Sequence, residues 1–235
     1  MLSLISGAMA LKSFLRKLHA LGVREPEGRP QGISREALES IQKGTLGFSY
    51  RGFGCWKSPF DLALYTLLLQ NLRPRTIVEL GSGEGGSALW FADLVTSLKL
   101  GAHVYSFDLQ PVSWIVDSRI SFESADIYQL GGSRLSEVLR SAERPVLVIE
   151  DGPHSYAACL EALEFCDSFL HPGDYIVIED GIVHSLGLEG YDDGPTRAIA
   201  SFLRNHKHRY ETDRTYCDYY GPNFTWNPNG YLKRI

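Results

Sequence analysis

Short apolar runs alternate along this chain with stretches in which apolar positions recur at helical spacing. "TIVEL" (76–80), "HVYSFDL" (103–109), "VLVIE" (146–150) and "YIVIE" (175–179) are nearly continuous and rich in β-branched and aromatic residues, whereas "ISFESAD" (120–126) alternates apolar with polar positions. Between them, "SALWFADLVTSLKL", "SRLSEVLRSA" and "SYAACLEALEFCDSFL" carry the wider spacing of helices. Continuous apolar strands, each joined to the next by a helix, predict a parallel sheet covered on both faces, hence an α/β fold.

The flanks break this rhythm. Upstream, Ser58 can cap a helix, with Pro59 in its first turn, Asp61 three residues on and "LALYTLLLQNL" as its body. Downstream, a helix around 195–205 precedes "YETDRTYC" and "GYLKRI", which the turn-rich "GPNFTWNPNG" separates, so two antiparallel strands are expected at the sheet's edge. Near the N-terminus, Leu11, Phe14, Leu15, Leu18 and Leu21 lie at helical spacing. The charges Lys12, Arg16 and Lys17 follow the first apolar residues instead of preceding them, so an amphipathic helix is expected here and not a secretory signal. Residues 1–57 are read as an N-terminal helical and cap segment, rich in Gly and polar residues from about 30 to 57, and residues 58–235 as the core of one globular unit.

Composition narrows this picture. A chain of 235 residues with 44% hydrophobic content can bury one substantial core, and its net charge of -5 argues against a nucleic-acid partner. Cys55, Cys159, Cys166 and Cys217 form no metal-ribbon spacing and are too few for a disulfide scaffold, which fits a reducing, cytoplasmic location. No stretch is long and apolar enough to span a bilayer. A homo-oligomer is expected.

Candidate chemistry gathers at the strand ends. "VELGSGEGGSALW" places Gly81, Gly83, Gly85 and Gly86, with Ser82 and Ser87, between the first long strand and its helix, where ligands collect in parallel sheets. The string reads equally as GxGxG and as the dinucleotide GxGxxG. Asp108 is placed to accept hydrogen bonds from a ribose and Asp126 to hold an adenine amino group, which nicotinamide and S-adenosylmethionine cofactors share. Glu79, inside "IVEL", would be costly to bury without a partner.

The nearly duplicated "VLVIEDG" and "YIVIEDG" should bring four acids to neighbouring tips. Carboxylates crowded in this way call for a cation, and hard oxygen ligands suit Mg2+. Asp151, Glu179 and Asp180 are the expected ligands, with Glu150 turned to the other face by strand alternation. His154 is the better candidate for general base, assisted by Asp151, and His184 is a candidate substrate or cap residue. His206 and His208 read as a solvated helix end.

The combination of "KSPFDLALY", "VELGSGEGGSALWFADL", "DGPHSY", "GDYIVIEDGIV", "GPTRAIASFL" and "NPNGYLKR" resembles the cephalosporin-hydroxylase and rhamnosyl O-methyltransferase family from about Tyr50 onward. The resemblance implies a Rossmann-like class I methyltransferase fold, with a seven-stranded, mostly parallel sheet and a C-terminal antiparallel hairpin. It implies S-adenosylmethionine and Mg2+ as cofactors, Asp151, Glu179 and Asp180 as metal ligands, and Glu79, Gly81 and Asp108 as cofactor residues. It also implies a cover around Tyr50, Lys57 and Asp61. The expected activity is O-methylation of a hydroxyl on a small natural product or its sugar, in secondary-metabolite or antibiotic biosynthesis. A nicotinamide-dependent oxidoreductase and a non-catalytic S-adenosylmethionine-binding accessory of a hydroxylase are the alternatives.

Overall fold

The apolar runs form the parallel part of one sheet. The computed structural model describes residues 33–188 and 190–235; the amphipathic helix expected near the N-terminus lies outside them. In chain order the elements begin with α1 (Arg35–Leu46), β1 (Ser49–Tyr50), β2 (Phe53–Gly54), α2 (Pro59–Leu72), β3 (Thr76–Leu80), α3 (Gly86–Ser97), β4 (His103–Asp108) and β5 (Ile120–Ser124). After a short 3-10 turn (Leu130–Gly132) come α4 (Leu135–Ser141), β6 (Val146–Glu150), α5 (Tyr156–Asp167), β7 (Tyr175–Ile178) and α6 (Ile182–Ser185). The chain closes with α7 (Gly194–His206), β8 (Tyr210–Thr212), α8 (Arg214–Cys217) and β9 (Tyr231–Arg234).

The seven-stranded sheet has the order β5-β4-β3-β6-β7-β9-β8. Its first five strands are parallel, and β9 runs antiparallel to both β7 and β8. The two late strands do pair as expected, but the last one inserts between its partner and the parallel block. Because the chain crosses from β3 to β4 on one side and later to β6 on the other, a crevice opens at the carboxyl ends of these strands. Register then fixes what meets there, since Leu80 lies opposite both Phe107 and Glu150, and Glu150 opposite Ile178.

Both faces of the sheet are covered, which explains the continuous apolar runs. On one face Val78, Leu80, Val148 and Ile178 pack with Leu139, Leu163, Ile199 and Phe202 of α4, α5 and α7. On the other, Ile77, Leu147, Ile149 and Val177 meet Leu64, Tyr65 and Leu68 of α2 and Phe91 of α3. Every residue of β3 and β6 is buried.

Two local readings are corrected. α1 occupies part of the segment read as Gly-rich and polar; Ser34 caps it by accepting from the Ala37 N–H, and Leu38 packs on Ile182, Leu186 and Trp226. "YETDRTYC" is only briefly a strand, because the Asp213 carboxylate accepts from the Thr215 N–H and starts α8.

The start of α2 is tied to the last strand through Asp61, which is 1% exposed. Its carboxylate accepts from the Ser58 and Thr225 hydroxyls, from the Trp226 N–H at 3.0 Å and from the Tyr231 hydroxyl at 3.2 Å. Burial raises its pKa, and those donors pull it back. Asp61→Ala strands several buried donors at once and is expected to cost about 3 kcal/mol, read as a lower urea midpoint with unchanged slope.

Candidate active site

At the carboxyl end of β3 the chain turns through three glycines with positive φ: Gly81 at 109°, Gly83 at 49° and Gly85 at 88°. A Cβ on Gly81 would lie 2.1 Å from the Asp151 carbonyl oxygen, so only glycine lets the β3 and β6 tips approach this closely. Asp108 closes the turn from β4. Its Oδ2 accepts from the Ser82 N–H at 2.9 Å and the Gly83 N–H at 3.2 Å. Part of its acceptor capacity thus holds the loop itself.

Beside this turn lies a cavity of about 490 Å3, lined by Gly81, Gly83, Asp108, Asp126, Tyr128 and Asp151 among others. The Asp126 carboxylate accepts from the Tyr128 N–H at 2.9 Å. Glu79 lies beneath the turn, fully buried, with Oε2 accepting from the Ser106 hydroxyl at 2.6 Å. Ser82 shares that network through the Ser106 hydroxyl at 2.7 Å, and Ser87 is buried in the first turn of α3. Burial raises the Glu79 pKa, against Lys57 and the serine hydroxyls, and Oε1 is buried with no partner.

The acids meet at the tips of β6 and β7. Asp151, His154 and Asp180 each offer one ligand atom, all within 4.8 Å of one another, the cation-sized grouping found among the described residues. His154 Nε2 lies 3.2 Å from Asp180 Oδ2 and 4.0 Å from Asp151 Oδ1, while its buried Nδ1 has no partner. Both His154 and Asp180 hold left-handed backbone, φ 53° and 56°, a conformation that concentrates where function demands it. Burial pushes the Asp180 carboxyl up to about 6, with His154 opposing and Asp151 adding to the shift.

Glu179 stands beside this group but is engaged elsewhere. Its Oε1 accepts from the Tyr65 hydroxyl at 2.5 Å and from Lys57 Nζ at 2.9 Å. Lys57 also donates to Asp151 Oδ2 at 2.5 Å. Burial disfavours the ammonium, yet Asp151, Glu179 and Glu79 together hold its pKa above the ordinary lysine value. Burial, then Asp151, drives the Glu179 pKa upward against Lys57. Glu150 does turn to the opposite face, where its Oε1 accepts from the Gly152 N–H. Burial raises its pKa, with His154 opposing.

Two expected cover residues are not brought to this cluster. The Tyr50 hydroxyl donates to Asp93 on α3 at 2.9 Å, and His184 Nδ1 pairs with Asp193 at 2.5 Å. His206 is packed and not solvated, stacked on Phe202 and bonded to Glu164 at 3.0 Å. The cover over the glycine turn is instead Trp56, whose ring would meet a Cβ on Gly83 at 3.1 Å, with Glu84 accepting from the Gly54 N–H. Tyr65 had no sequence signal except one hydroxyl within an apolar helix.

A profile of the family described as "Rhamnosyl O-methyltransferase/CmcI" matches residues 42–235. A rhamnosyl O-methyltransferase of Mycobacterium tuberculosis is 27% identical over 215 residues, covering 88% of this chain and 87% of that one. The Mycobacterium leprae protein of the same description is 28% identical over 192 residues, covering 79% and 82%. A solved structure described as "cmcI-D160 Mg-SAM" superposes with a TM-score of 0.64 at 27% identity, over 90% of this chain and 82% of that one. With the glycine turn, the carboxylate tips and all seven strands inside the matched region, the chain belongs to the rhamnosyl O-methyltransferase/CmcI family of O-methyltransferases and has its class I methyltransferase fold.

Proposed function

We propose that the protein transfers the methyl group of S-adenosylmethionine, with Mg2+, to a hydroxyl of a small natural product or of a sugar attached to it. The observation that carries this reading is the meeting of two sites at one sheet edge: Asp151 lines the glycine-turn cavity and also belongs to the Asp151, His154 and Asp180 cluster. A similar solved structure carries Mg and S-adenosylmethionine in its description, and the mycobacterial relatives are named for a rhamnosyl acceptor.

The residues present fit both groups. Glu79 Oε1 and His154 Nδ1 are buried acceptors or donors without partners, and the hard oxygens of Asp151 and Asp180 suit a magnesium-sized cation. Gly81, Gly83 and Gly85 shape the turn, Ser106, itself bonded to Ser82, orients Glu79, and Asp108 and Asp126 face the cavity that would take the ribose and adenine. Asp151 and Asp180 would hold the metal, with Glu179 beside them on Lys57 and Tyr65. When bound, the sulfonium supplies a methyl group whose departure needs no acid, and the metal acidifies the acceptor hydroxyl. His154, whose Nε2 lies 3.2 Å from Asp180 Oδ2, is the general base for the acceptor hydroxyl. Residues 58–235 form the core, and Trp56 and Lys57 end the covering segment. Four buried free cysteines fit a cytoplasmic enzyme, and the natural-product acceptor places it in secondary metabolism.

The test is calorimetry and turnover on the intact protein. S-adenosylhomocysteine should bind and raise stability by about 2.7 kcal/mol at a hundredfold excess over Kd, whereas NAD should not. Methyl transfer to a rhamnoside should vanish with EDTA and return with Mg2+. Binding of NAD alone would overturn the assignment.

A further inference from the structure

We propose that Lys57 is a resident counter-cation of the carboxylate cluster, holding Asp151 and Glu179 in place without a divalent ion and competing with that ion for the charge of Asp151. The inference rests on the metal reading given above. Lys57 contacts the two acids at 2.5 and 2.9 Å from a side chain only 1% exposed. A buried ammonium persists only where carboxylates surround it, and buried carboxylates at neighbouring strand tips persist only with a cation between them. Lys57 meets both needs within the protein itself.

Asp151 divides its oxygens. Oδ2 faces Lys57, and Oδ1 faces His154 on the side of Asp180. An ion gathered by Oδ1 and Asp180 therefore shares a carboxylate with the lysine and is repelled by it across that group. The backbone around Lys57 is pinned, because the Cys55 N–H donates to the Phe48 carbonyl at 3.1 Å and Ser58 caps α2. Only the flexible lysine stem is free to yield, so the adjustment stays within one side chain. In this arrangement the metal-free protein keeps its strand tips assembled, and metal affinity is set below what Asp151, Glu179 and Asp180 would otherwise give.

The experiment measures Mn2+ binding by titration calorimetry on EDTA-stripped wild type, Lys57→Met and Lys57→Arg, alongside thermal melts with and without Mn2+. Lys57→Met should bind Mn2+ about tenfold tighter or more, by removing a positive charge a few ångströms away. It should melt below wild type when stripped and recover further when Mn2+ is added. Lys57→Arg, which keeps the charge, should stay within about threefold of wild type. A Lys57→Met protein that folds only with Mn2+ is the same result in stronger form. One that fails to fold even with Mn2+ overturns the proposal, because the ion should then replace the lost ammonium. If wild type binds Mn2+ and Lys57→Met binds it no tighter, the counter-cation fails and the metal reading stands; if neither binds, both fail.

Discussion

Asp151→Asn is expected to lower kcat/KM for methyl transfer by about a thousandfold or more while S-adenosylhomocysteine still binds. The substitution keeps the volume and removes the charge on which three groups converge. Asp151 is held at the tip of β6 by its own N–H, which donates to the Leu80 carbonyl at 2.8 Å, so its side chain has little freedom to be replaced by a neighbour. From there it reaches Lys57 on one oxygen and turns the other toward His154. Loss of that charge removes a proposed metal ligand and leaves a buried ammonium half-paired. Glu79 and the glycine turn, proposed to hold the cofactor, are untouched. A split between lost turnover and retained S-adenosylhomocysteine affinity is the signature; turnover within tenfold of wild type would remove Asp151 from the reaction.

Gly81→Ala should be the most damaging small substitution in the fold, at about 3–5 kcal/mol, from backbone strain and overpacking together. The position has φ 109°, and the new methyl would meet the Asp151 carbonyl oxygen at 2.1 Å, a backbone atom that no rotamer change can move aside. Gly52 provides the control. Its φ is 89°, but nothing lies within 4 Å of a Cβ there, so Gly52→Ala should cost only strain, about 1 kcal/mol. For a chain of this size the difference corresponds to a melting temperature lower by about 10 °C in Gly81→Ala. Equal melting of the two variants would mean that the β3 and β6 tips do not adjoin as described.

What was legible in the sequence follows the range of the interactions. β3, β6 and β7 announce themselves because burial on both faces forces nearly every position to be apolar, and the glycine turn does so because its backbone tolerates nothing else. α1 was missed because Leu38 and Ile41 stand among polar and charged neighbours, and the residues they pack on, Ile182, Leu186 and Trp226, lie far along the chain. The convergence of Asp151 and Asp180 could be expected, since adjacent parallel strands in register end together. The partner of Glu179 could not. Lys57 and Tyr65 reach it from 122 and 114 positions away in a segment whose path only the packed helix α2 determines. Tyr50 was expected at the site from the resemblance, and His184 because it follows the second acid pair in sequence. Their polar atoms found nearer carboxylates in Asp93 and Asp193.

The placement of β9 between β7 and β8 orders the assembly of the molecule in time. As the polypeptide leaves the ribosome, β8 emerges with no strand to pair with and β7 keeps a bare outer edge until Tyr231–Arg234 follow. Asp61, translated far earlier, likewise waits for Thr225, Trp226 and Tyr231 to satisfy its carboxylate. The nascent protein therefore carries an open sheet margin from the emergence of β7 to that of β9, the interval in which it is most exposed to pairing with a neighbour.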